Sequence, residues 1–103
     1  MKVYILIEDV MITNCSDYGN LQEFDHKVHG VFSSSEEAWN AALKFYENEK
    51  KEFLEKDEFT LLSETVIKNP VTVAWELDCG MYSTQSEMRV KIAEVGQLYN
   101  EPL

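Results

Sequence analysis

Basic residues are scarce in this chain. Nine Lys and Arg stand against 19 Asp and Glu, a formal net charge of −10. Nucleic acid and anionic membranes both reward positive charge, so direct binding to either is not expected. Cysteine is scarce as well. Cys15 and Cys79 lie far apart and do not form the dense disulfide framework of a small secreted domain. No run of 18 apolar residues occurs, so no membrane-spanning helix is expected. The apolar start Met1–Ile7 stops at Glu8-Asp9, too short for a secretory signal, and without one the sequon Asn14-Cys15-Ser16 has no force. These absences predict a cytoplasmic protein with reduced thiols. The four glycines do not form a phosphate-cradling loop, and Arg89 alone offers a guanidinium fork.

What is present is a foldable chain. Hydrophobic residues make up 45% and aromatics 12% of 103 residues, which excludes a disordered acidic tail and fits a single domain over 1–103. At this length roughly 65% of the unfolded chain's area can be buried.

Val3, Ile5 and Ile7 alternate with Tyr4, Leu6 and Glu8, which predicts a strand over 3–12 buried on much of both faces. The polar residues of 13–25 predict a long loop or irregular hairpin connection, followed by a second strand around His26–Phe32. Ser33-Ser34-Ser35-Glu36-Glu37 is a helix start, with Ser34 as N-cap and Glu37 as its partner, or Ser33 with Glu36. The helix is expected to run to about Glu55, with Trp39, Ala42, Leu43, Tyr46, Phe53 and Leu54 on one stripe. Residues 57–68 fit a short helix begun at Asp57, the favoured reading, or a strand through Phe59, Leu61, Ser63, Thr65 and Ile67. Val71, Val73, Trp75 and Leu77 alternate in a strand; Cys79–Glu87 reads as a loop; Met88, Val90 and Ile92 alternate in a last strand. The predicted fold is α+β, an antiparallel four-stranded sheet (β-β-α-(α)-β-β) with one long helix packed on one face.

Lys2-Val3-Tyr4-Ile5-Leu6, followed by Gly30-Val31-Phe32-Ser33-Ser34-Ser35-Glu36-Glu37-Ala38, is similar to the opening of a loose group of short uncharacterised bacterial and phage proteins. The resemblance spans the first ~45 residues and is carried by a strand followed by a capping box. It implies a strand–strand–helix opening and a phage or prophage origin.

Several groups of residues have the chemistry of a site. Cys15, His26, His29 and Cys79 form a soft ligand set for zinc, but His26 and His29 on one strand point to opposite faces. No nucleophile elbow surrounds Cys15 or the serines, and no catalytic residue or cofactor is assigned. Charge distribution is more informative. Between Val3 and His26 stand Glu8, Asp9, Asp17, Glu23 and Asp25 with no Lys or Arg, and between Asn69 and Met88 stand Glu76, Asp78 and Glu87, again with no base. The predicted helix balances its acids with lysines, such as Glu47 with Lys51 and Glu52 with Lys56. Together with the loop tyrosines Tyr18 and Tyr82, the unneutralised acids form the expected binding surface, a negative patch made where the first loop and last hairpin meet. The expected partner is a basic protein, in the sharpest form a nucleic-acid-binding or defence enzyme inhibited by DNA mimicry. The alternative is a small metal- or ligand-binding protein or enzyme using the Cys/His set or the surface carboxylates. Sheet edges also leave a homodimer open.

Overall fold

Alternating apolar residues at both ends of the chain build one antiparallel sheet in the computed structural model, which describes residues 1–16 and 19–96 and the side chains outside 15–20. The elements are β1 (Lys2–Ser16), β2 (Gly19–Phe32), α1 (Ser35–Leu54), β3 (Thr60–Ile67), β4 (Thr72–Asp78) and β5 (Tyr82–Glu94). Their order across the sheet is β2-β1-β5-β4-β3.

The predicted four-stranded α+β arrangement with a possible second helix is therefore corrected to a strand-dominated, five-stranded sheet with a single helix. The segment 57–68, expected to be helical, holds β3. Thr60, Thr65, Val66 and Ile67 are β-branched and stiff at χ1, which suits an extended backbone. Strand β4 also offers β3 a ladder from Thr60↔Asp78 to Ile67↔Thr72. The acidic start at Asp57 is spent on a turn in which Lys56 and Phe59 donate to the carbonyls of Phe53 and Lys56.

Both expected loops are likewise mostly strand. β1 and β2 stay paired from Tyr4↔Phe32 to Ser16↔Gly19, through the polar stretch 13–25. β5 begins at Tyr82, so the 79–87 loop shrinks to the few residues before it. Composition marks these stretches as polar, but long cross-strand pairing satisfies every other backbone group and outweighs it.

The helix start is local chemistry. Ser34 is the N-cap, and its Oγ accepts from Glu37 N–H at 3.2 Å. Glu37 Oε2 reaches back to accept from the N–H (3.1 Å) and Oγ (2.8 Å) of Ser33. From there α1 buries Ala38, Ala42, Tyr46 and Phe53. Ala42, Tyr46 and Phe53 join Leu6, Val71, Val73, Trp75, Leu77 and Met88 in the main core. Ile5, Ile7 and Ala93 form a second, smaller cluster, and the two-residue strand period places it on the opposite face from Leu6. No described helix is long and apolar enough to cross a membrane.

Candidate functional site

The helix covers one face of the sheet. On the other, cross-strand register lines side chains into rows. His26, Asp9, Glu87, Ala74 and Thr65 form one row across all five strands, each paired with the next. Phe24, Met11, Gln85, Glu76 and Ser63 form the adjoining row. Ala74, Ser63 and Thr65 are small and the sheet is twisted, so the two rows leave an open trough of about 530 Å³. Phe24 stands at its β2 side with 74% of its surface exposed.

Electrostatics divide the trough. At the β2 end, Asp9 Oδ1 accepts from His26 Nδ1 at 2.6 Å, and Asp9 Oδ2 accepts from Arg89. These two hydrogen bonds, His26's first, hold the Asp9 carboxyl below the usual carboxylate range. Toward β4 and β5, Glu76 and Glu87 have no ion-pair partner among the described residues.

The depressed Asp9 value has a consequence for acid stability. Its contribution is fully present above the unfolded value of about 4 and is lost as pH falls through the lower folded value. Because the Asp9 side chain is 44% exposed, solvent screening holds that contribution to about 1 kcal/mol or less. In urea melts of wild type and Asp9→Asn at a series of pH values, the stability difference should be constant near neutrality and shrink toward zero at the acid end.

The structure divides the predicted negative patch between two faces. Asp9, Glu76 and Glu87 share the helix-free face, and Asp78 lies one row further toward the sheet's end, where its Oδ1 accepts from Gly80 N–H. Glu8, Glu23 and Asp25 alternate to the helix side. There Glu8 is buried against His29, and Asp25 lies 3.6 Å from Lys27 Nζ. Tyr82 sits opposite Asn14 in the β1–β5 ladder, and its hydroxyl is pushed up chiefly by a hydrogen bond with Cys79. Asp17 and Tyr18 lie outside the described residues.

The zinc ligand set does not converge. His26 is engaged by Asp9 on the helix-free face, while His29, the extra residue of a bulge in β2, donates from Nε2 to Glu8 and packs against Phe45 of the helix with the two rings tilted by 54°. Cys79 donates to the Tyr82 carbonyl at 3.4 Å. The Cys15 side chain is outside the described residues. Among those described, no group of three or more His, Cys, Asp or Glu is placed to hold a metal ion.

Sequence reasoning missed the contribution of Arg89, Phe24, Ser63 and Thr65 to this face. The only signal for the last two was the weaker, period-two reading of 57–68. The rows themselves depend on register, which no local pattern encodes.

Residues 1–60 match a family described as a domain of unknown function, DUF7336. No curated protein and no solved structure matches the chain.

Proposed function

The chain belongs to the DUF7336 family, and we propose that it is a small acidic interaction domain whose helix-free sheet face receives a basic partner surface. One observation carries this reading: the trough that α1 leaves open is lined by Glu76 and Glu87, carboxylates without cationic partners among the described residues. A net charge of −10 would add long-range attraction for a cationic surface and a salt-sensitive on-rate. Exposed Phe24, at the β2 side of the same trough, supplies an apolar anchor of the kind found at protein interfaces. In its sharpest form the partner is the nucleic-acid-binding surface of an enzyme, the carboxylates standing where phosphates would lie. The phage-like opening of the sequence is in keeping with such an inhibitor.

A fluorescent lysine- and arginine-rich peptide tests the reading by anisotropy. Glu76→Lys with Glu87→Lys should weaken binding about tenfold or more, whereas Glu47→Lys on the helix should leave it nearly unchanged. Binding should also collapse near about 0.5 M salt, where the Debye length falls to a few ångströms. Affinity indifferent to both the reversal and the salt would refute the proposal.

A further inference from the structure

The helix-covered face carries a second concavity, away from the trough. A cleft of about 290 Å³ opens between α1 and the edge strand β2. Gly30 helps to create it. It pairs with Leu6 on the helix side and brings no side chain into the space there. Its φ is outside the left-handed region, so the backbone does not demand glycine. Space does, because a Cβ would stand 3.0 Å from the tip of the Phe32 ring. Ala41, Lys44, Phe45 and Asn48 follow the i, i+3, i+4, i+7 spacing and make the helix wall. Leu6, His29 and Phe32 make the sheet wall.

We propose that this cleft binds a small aromatic monocarboxylic acid, its ring against Phe32 and Phe45 and its carboxylate on Lys44 and Asn48. The interior is suited to a ring. Phe45 and His29 already meet at 4.4 Å between centroids, and aromatic pairs gain more than their buried area alone supplies. Lys44 marks the charged end. Nine bases stand against 19 acids in this chain, yet no ion pair to Lys44 occurs among the described residues. Even Glu47, three residues on along the helix, is not bonded to it. The Asn48 amide, one turn beyond Lys44, adds a neutral donor.

The surrounding charges allow an anion there. Glu8 is 3% exposed and its Oε1 accepts from His29 Nε2 at 2.8 Å, so the cleft meets the imidazole and not the bare carboxylate. Asp25 is paired with Lys27. Volume limits the ligand. Sites for drug-sized molecules span about 300–1,000 Å³, so this one takes a single ring on a short chain. Every lining residue also falls within 1–60, the span that matches the DUF7336 family, whereas the trough draws on β3, β4 and β5 beyond it. The two sites lie on opposite faces of the sheet, so either can fail without the other.

Titration of the full ¹⁵N-labelled chain with 3-phenylpropionate, followed by amide chemical shifts, tests it. Shifts at His29, Lys44, Phe45 and Asn48 should saturate together, with a dissociation constant of about 1 mM or below. Lys44→Gln, at an exposed position where folding is not at stake, should weaken binding about fivefold or more. Lys44→Arg restores the charge and should bind within about twofold of wild type. The neutral 3-phenylpropionamide should bind wild type as weakly as the acid binds Lys44→Gln. Ala41→Leu fills the cleft with a good helix former and should abolish saturation while the spectrum stays dispersed. No saturable shift up to about 10 mM would overturn the proposal. So would shifts centred on the trough residues Glu76 and Glu87, or equal affinity for acid and amide.

Discussion

Trp75→Ala should remove about 4 kcal/mol of unfolding free energy, a large part of the 5–15 kcal/mol typical of a small domain. Trp75 is the central inward residue of β4, whose burial alternates strictly from Thr72 to Asp78. It is 6% exposed, with its ring 4.7 Å from that of Tyr46 and 6.4 Å from that of Phe45. Truncation would leave a void between helix and sheet, directly behind the trough floor, where close-packed neighbours can collapse only in part. Trp75→Phe keeps most of the aromatic contact and should cost about 1–2 kcal/mol. Urea titration should show the midpoint falling in that order at a constant m value. A loss below about 1 kcal/mol for the alanine variant would mean that α1 does not rest on this strand.

His29→Phe should cost about 3 kcal/mol, although it preserves an aromatic ring against Phe45. The reason is Glu8, which is 3% exposed and accepts a hydrogen bond from His29 Nε2 at 2.8 Å. No other hydrogen bond to Glu8 occurs among the described residues. Removing the ring nitrogen leaves a buried carboxylate without its donor, which costs far more than the pair contributes. The double variant Glu8→Leu, His29→Phe removes both polar groups and should recover most of the loss. A double-mutant cycle measured by urea unfolding isolates this coupling, and additive single effects would show that Glu8 finds water instead.

Glu8 also shows how far the sequence can be read. Adjacent to Asp9 and in an unneutralised stretch, it reads as one member of an acidic patch. The strand period puts the two carboxylates on opposite faces, one sealed under the helix beside His29 and the other in the open trough beside His26 and Arg89. The alternation that defines β1 was visible from Val3 onward, but the pairing that decides what each face meets was not. Residues 57–68 make the same point. Helix and strand patterns coexist there, and neither wins on local preference alone.

What the sequence determines by itself is local. The start of α1 follows from Ser34 and Glu37, because a cap bonds within one turn. The burial pattern of β4 follows from alternation between successive residues, and the charge excess follows from composition. Tertiary structure alone decides that β3 is a strand, since the open edge of β4 supplies the hydrogen bonds that a short helix would otherwise make internally. It also decides that Asp9, Glu76 and Glu87 share a face while Glu8 does not, because register between distant strands sets which side chains become neighbours.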